Sequence, residues 1–161
     1  MAGDFLPVSA WWYPVTFNIV EGQKVAQWVA ANMPASDRVR NFGPHVAIGF
    51  VSGGKPLVGV VFHEFREMEY GHDARLTIVA KHPMWARKEI VSAILRYPFE
   101  QAGCTRITAI VREGNARSIR LVERVGFRKE GVCRRAYNGK TNAIIFGMLR
   151  EDCERKGWLN G

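Results

Sequence analysis

The sequence predicts a mixed α/β domain built on a largely antiparallel sheet. Three observations carry the prediction. Segments of strand and helix period run in the order strand, helix, several strands, helix, strand, helix, strand pair. Two pairs of strand-like segments are joined by hairpin signals, SGGKP at 52–56 and NGK at 138–140. Finally, the 161 residues are 47% hydrophobic and 24% charged, which is an ordinary composition for one domain with a real core.

The elements follow in order. VTFN (15–18) is a short strand. EGQKVAQWVAAN (21–32) is a helix, because Val25, Trp28, Val29 and Asn32 fall at helical spacing. Residues 33–44, MPASDRVRNFGP, form a long loop of the kind that carries substrate contacts. HVAIGFV (45–51) and LVGVVFHEF (57–65) are apolar strands. ARLTIVAKH (74–82) alternates Leu76, Ile78 and Ala80 inward against Arg75, Thr77, Val79 and Lys81. Trp85 to Ala102 is helical, with Ile90, Ala93, Ile94 and Tyr97 on one face and Pro98 kinking or shortening its end. TRITAIV (105–111) is a strand. NARSIRLVERVGF (115–127) is a helix with Asn115 as N-cap and Gly126–Phe127 as a left-handed C-cap. FRKEGVCRRAY (127–137) and TNAIIFGML (141–149) form a hairpin, and a polar tail docks through Trp158 and Leu159.

Several function classes are disfavoured. No apolar run reaches the ~18–20 residues of a membrane span, and the N-terminus lacks the basic start and apolar stretch of a signal peptide. A cytoplasmic, non-membrane protein is expected. Cys104, Cys133 and Cys153 form no CxxC pair and are odd in number, so neither a disulfide framework nor a zinc site is expected. The histidines show no H-x-x-x-H spacing, and no metal is predicted. The net charge of +8 is uneven. Residues 1–80 hold 6 Lys/Arg against 7 Asp/Glu, and residues 81–161 hold 17 against 8. The basic half favours an anionic partner: a phosphorylated cofactor, a nucleic acid or an acidic substrate.

From Ala93 to Leu149 an ordered set of short motifs appears: F-x-x-x-G at 99–103 before a strand, N-x-x-S at 115–118 opening a helix, G-F at 126–127, E-G at 130–131 and a final G-M-L at 147–149. Their order and spacing resemble the GNAT N-acetyltransferase superfamily over residues 45–150. The similarity is greatest to the ribosomal-protein acetyltransferase branch and to small phage-encoded members. The resemblance implies a central, mostly antiparallel sheet flanked by helices and splayed between the strands at 74–82 and 105–111. Acetyl-CoA or another acyl-CoA would enter that gap. Its pantetheine would pair with strand backbone near Val79 and Ala80, and Asn115 would contact the same arm. Its pyrophosphate would sit on the helix beginning near Trp85, where free N–H groups and the helix dipole favour an anion.

The family's pyrophosphate loop is R/Q-x-x-G-x-G/A. Here its small positions fall near Pro83, Trp85 and Arg87, and none is glycine. Two readings stand. In one the site is rebuilt, with Lys81, His82, Arg87 and Lys88 crowding a helix start, Arg87 clamping a phosphate and Trp85 stacking on a base. In the other, Trp85 plugs the gap as core and the cations point into water.

Acetyl transfer to an amine needs a base, a stabilised oxyanion and an acid for the departing thiolate. The family's acidic Tyr aligns with Val122, which leaves Ser118 as the nearby hydroxyl, alongside its local role at a helix start. Glu64 and His63 end a strand on opposite faces, so one of them faces the cleft as base. His45 and Tyr70 are further candidates. Arg117, Arg120 and Arg124 form a basic stripe, continued by Arg128, Lys129, Arg134 and Arg135. It reads as a solvated helix face, a contact to the 3′-phosphate of CoA, or a nucleic-acid track. The leading expectation is an acyl-CoA-dependent N-acyltransferase acting on an amine-bearing small molecule or protein. The alternatives are a Mom-type DNA-modifying enzyme acting on adenine and a catalytically silent binding module. A homodimer is among the assemblies open to such a chain.

Overall fold

The computed structural model describes residues 6–8, 17–34 and 41–159. Eight strands form one sheet: β1 (Leu6–Val8), β2 (Phe17–Glu21), β3 (His45–Ser52), β4 (Lys55–Glu67), β5 (His72–Ala80), β6 (Cys104–Arg112), β7 (Arg128–Cys133) and β8 (Ala143–Leu149). Their spatial order is β1-β2-β3-β4-β5-β6-β8-β7. All neighbours are antiparallel except β5 and β6, which are parallel. A parallel pair needs a crossover, and here the crossover carries a 3-10 turn at Pro83–Ala86, α2 (Lys88–Arg96) and a π-helical turn at Tyr97–Gln101. The other helices are α1 (Gln23–Asn32), α3 (Ala116–Val125) and α4 (Arg150–Arg155). No helix among the described residues is long and apolar enough to cross a membrane.

Each face of the sheet buries its own core. On one face α1 sets Val25, Ala26 and Val29 against Ala47, Val61 and Phe42. On the other, Ile90, Ile94 and Leu95 of α2 and Val122 of α3 pack on Val60, Phe62, Ile107, Phe146 and their neighbours. The α1 side depends on two glycines facing each other across β3 and β4, Gly49 and Gly59. A Cβ on Gly59 would lie 2.6 Å from Val29 Cγ2 and 3.0 Å from the Trp28 ring. Their bare backbones let α1 sit low on the sheet.

Several boundaries depart from the expected ones for local reasons. The first expected strand lies at Phe17–Glu21, and its residues 15–16 fall outside the described residues. So do residues 35–40 of the long loop. The hairpin at 52–56 turns through Gly53 and Gly54, both at positive φ (56° and 76°), as a two-residue turn requires. The expected helix 85–102 is broken three ways. Pro83 opens a separate 3-10 turn, Arg87 is extended (φ −74°, ψ 149°) and caps α2, and Pro98 sits in the π-turn. Proline lacks an N–H and collides with the carbonyl four residues back, and the wider turn closes instead through Ala102 N–H to Tyr97 O at 3.0 Å. The β7–β8 connection is longer than NGK alone. Asn138 Oδ1 accepts from Lys140 and Thr141, while Asn142 Oδ1 accepts from the backbone N–H of Arg135, which lies at φ 54°. These side-chain bonds organise residues 134–142 as a loop. The tail contains a helix the sequence reading missed, α4, while Trp158 and Leu159 pack on the main core and Trp158 Nε1 donates to Val125 O at 2.7 Å.

Gly59→Ala must displace the Val29 and Trp28 side chains or the helix that carries them. Overpacking of this kind costs ~1–3 kcal/mol. Thermal unfolding is expected several degrees below wild type, with the far-UV circular dichroism retained.

Candidate functional site

The parallel pairing of β5 with β6 runs from His72↔Cys104 to Leu76↔Ala109 and ends there. Beyond that point β5 continues to pair with β4 as far as Ala80↔Val58, and β6 continues with β8 as far as Arg112↔Ala143. The sheet therefore opens between Thr77–Ala80 and Ile110–Arg112. At the closed end the two strands are fastened. The Asp73 carboxylate accepts from Thr108 Oγ1 at 3.0 Å and pairs with Arg106 Nε at 3.4 Å, and Arg106 Nη2 reaches Glu130 Oε2 on β7 at 2.8 Å.

A cleft of about 1060 Å³ occupies the opening. That is slightly above the ~300–1,000 Å³ typical of small-molecule sites. Its lining includes Val79, Ala80, Trp85, Asn115, Ser118, His63 and Glu64, so most of the expected site residues meet here. Arg87 and Lys88 do not line it, nor do His45 and Tyr70. The extra 3-10 turn before α2 is the reason for the first pair, because it places Lys81, Pro83, Trp85 and Ala86 at the cleft instead. Trp85 is 5% exposed and packed in the main core. It is wall, as in the second of the two readings, and not a base-stacking face as in the first. Tyr70 is 80% exposed at the β4–β5 turn, and His45 Nδ1 lies 2.7 Å from Gly43 O.

The charge of the cleft comes mainly from elsewhere than the α2 start. Arg117, Arg120 and Arg124 of α3 line it together with Lys81, Arg75 and Arg112, and Glu64 supplies the one carboxylate among the described lining residues. The basic stripe thus lines the same cleft as the Lys81–Ala86 turn. Its expected continuation does not line the cleft, and Arg128 instead pairs with Asp152 at 2.9 Å. Asn115 caps α3, accepting from Ser118 N–H at 3.2 Å, and this fixes both residues at the cleft mouth of the helix.

His63 and Glu64 were expected on opposite faces with one in the cleft, but both line it. The register of β4 against β5 shifts between His63 and Arg66, and Glu64 has φ 49°, so the alternation breaks at a bulge. Glu64 is exposed and holds Arg75 Nη1 at 2.9 Å. His63 is 3% exposed, its ring lies edge-on to Phe42 at 5.1 Å, and its Nε2 is 2.8 Å from Thr77 Oγ1. Burial pushes the imidazole below its ordinary pKa of 6.5, and the nearby Glu64 carboxylate only partly offsets this.

Thr77, Arg75 and Arg112 of the lining were not singled out from the sequence, although strand alternation puts Arg75, Thr77 and Val79 on one face. Tyr137 was also missed. It reaches the cleft from the β7–β8 loop, and no local pattern marks that. Among the described residues, no group of three or more His, Cys, Asp or Glu is placed to hold a metal ion.

A family model of the acetyltransferase (GNAT) domain matches residues 7–128. The chain belongs to the GNAT acetyltransferase family. It is 33% identical over 84 residues to an uncharacterized N-acetyltransferase, YoaA, of Bacillus subtilis, a match covering 50% of this chain and 46% of that protein. It is 37% identical over 70 residues to a second, YokL, derived from the SPbeta prophage of the same organism, covering 42% and 40%. The matched stretch thus spans under half the length of these curated relatives. Among solved structures, a Vibrio cholerae spermidine N-acetyltransferase SpeG mutant superposes with TM-score 0.68 at 14% identity, covering 89% of this chain and 96% of that one. An uncharacterized Bacillus halodurans protein superposes with TM-score 0.66 at 12% identity, covering 98% and 97%. The likeness to the Vibrio cholerae enzyme, with the family match, shows that the splayed mixed sheet is the GNAT fold.

Protonating buried His63 is easier in the unfolded chain, where the ring has its ordinary value of 6.5. Its contribution to stability is therefore complete above that pH and is lost as pH falls through the lower folded value. Urea unfolding from pH 7.5 to 5 is expected to show wild type weakening below pH 6.5 more steeply than His63→Gln.

Proposed function

We propose that this GNAT protein is an acyl-CoA-dependent N-acyltransferase that acts on an amine. The observation that carries the proposal is the early end of β5–β6 pairing. It turns the backbone of Thr77–Ala80 toward a cleft walled on its far side by Asn115 and the arginines of α3. An exposed strand edge suits the amide-bearing pantetheine arm. Lys81, Arg117, Arg120 and Arg124 suit the phosphates of CoA, and this arrangement replaces a glycine-rich loop with side-chain cations. Val79 and Ala80 take the arm, Trp85 walls the site, and Asn115 holds the α3 end. Arg87 and Lys88 add field at the α2 start without lining the cleft.

The chemistry then falls to a few side chains. The amine nitrogen bonds to the acyl carbon as the carbon–sulfur bond breaks, and the nitrogen must shed a proton. With its proton on Nδ1, on the side of Glu64 Oε1, neutral His63 accepts from Thr77 Oγ1 through Nε2, so the hydroxyl takes the proton from the amine as it passes its own to the imidazole. The depressed pKa keeps that imidazole neutral at physiological pH. Glu64, held by Arg75, orients the pair instead of serving as base. Backbone N–H groups of the β5 edge face the developing oxyanion. Ser118 donates a proton to the thiolate and regains one from solvent, as His63 gives up its own.

Calorimetric titration with acetyl-CoA is expected to show saturable binding that weakens with added salt, and by at least about ten-fold in R117Q/R120Q/R124Q. Thr77→Val is expected to retain that affinity and lose about 10²-fold in kcat. No heat at millimolar acetyl-CoA, from protein shown to be folded, would defeat the proposal.

A further inference from the structure

The two faces of the sheet divide the cleft. Leu76, Ile78 and Ala80 of β5 pack toward the main core beside α2 and α3. Arg75 and Thr77 belong to the opposite face, because Arg75 stands directly across from His63 and Thr77 from Val61, which packs under α1. Arg112 joins them from β6. It alternates with Val111 of the main core and pairs with Ala143. The α1 side of the opening therefore presents a base, a hydroxyl, two guanidinium groups and the carboxylate of Glu64, itself occupied by Arg75 at 2.9 Å.

We infer that the acceptor is an amine with a carboxylate close by, of the size of a free amino acid, whose carboxylate docks on Arg75 while its nitrogen sits at Thr77 and His63. The inference rests on the acyl-transfer reading above and names its substrate class. Three observations carry it. The first is spacing. Residues directly opposite on an antiparallel pair have Cβ atoms ~4.5–5.5 Å apart, and same-face neighbours along a strand lie ~7 Å apart. The head groups themselves are close, since Arg75 Nη1 lies 2.9 Å from Glu64 Oε1 and that oxygen lies 3.8 Å from His63 Nδ1, a span that an α- or β-amino acid bridges. The second is donor capacity. A guanidinium carries five N–H donors in a planar fork matched to a carboxylate, and Arg75 gives Nη1 to Glu64. The third is charge. Glu64, the one carboxylate among the described lining residues, is already held by Arg75 at 2.9 Å, so a polycation entering this face must displace Arg75 from it. That distinguishes this cleft from one suited to a polyamine.

The test measures CoA release by a thiol assay, after titration has established acetyl-CoA binding. Acceptors are free α- and β-amino acids, their carboxamides and spermidine. The expected result is a kcat/KM for the best amino acid about ten-fold or more above that of its carboxamide, the scale of one charged hydrogen-bonded pair. Spermidine is expected to be poorer still. In Arg75→Gln the acid-to-amide ratio should collapse to about one, while the acetyl-CoA Kd stays at the wild-type value. Carboxamides or spermidine matching the amino acids would overturn the inference. So would an Arg75→Gln variant that slows every acceptor equally, which would make Arg75 only a prop for Glu64. Acetyl-CoA binding with no amino-acid preference removes the acceptor class alone; absence of acetyl-CoA binding removes the donor reading and the acceptor class with it.

Discussion

Everything specific about this protein depends on where two parallel strands stop pairing. β5 and β6 hold together through Leu76↔Ala109 and then part, while each keeps its outer partner to its end. An opened sheet exposes backbone donors and acceptors that must find partners, so such a gap is stable only where something polar and extended can enter it or water can reach it. The opening is confined by what lies below it. Asp73, Thr108, Arg106 and Glu130 fasten β5, β6 and β7 at the closed end, and the two cores fix the strands from both faces. The cleft is thus built into the sheet.

The same division would let one cleft serve the two substrates of the proposed reaction. The α3 side supplies Arg117, Arg120 and Arg124, a concentration of positive charge suited to phosphates. The α1 side supplies His63, Thr77, Glu64 and Arg75, a compact set suited to proton transfer and to a small charged acceptor. Strand alternation keeps the two sets apart, since side chains at successive positions of β5 leave the sheet in opposite directions.

Much of this was readable from the residues, and the rest was not, for identifiable reasons. Helix caps are local, so Asn115 and Gly126 marked α3 to within a residue. The gap flanked by β5 and β6, with Val79 and Ala80 beside it, followed from the family resemblance. The α2 start was misjudged because Pro83 builds its own 3-10 turn, which a helical period running through Trp85 does not reveal. That shift took Arg87 and Lys88 away from the lining and put Trp85 into the core. The β4 bulge was equally hidden. Glu64 adopts a left-handed backbone that glycine favours, and period-two reasoning carried straight through it. Tyr137 and Arg112 reach the cleft from distant parts of the chain, and only tertiary structure joins them to it.

The central claim is that the unpaired edge of β5 receives the acyl-CoA arm. Residue-resolved amide hydrogen exchange, with and without saturating acetyl-CoA, tests it most directly. The expected result is new protection within Thr77–Ala80 and at the start of α3, with Asp73–Leu76 unchanged because they already pair with β6. Saturated protein whose Thr77–Ala80 amides exchange as fast as before, with protection arising elsewhere, would contradict the account.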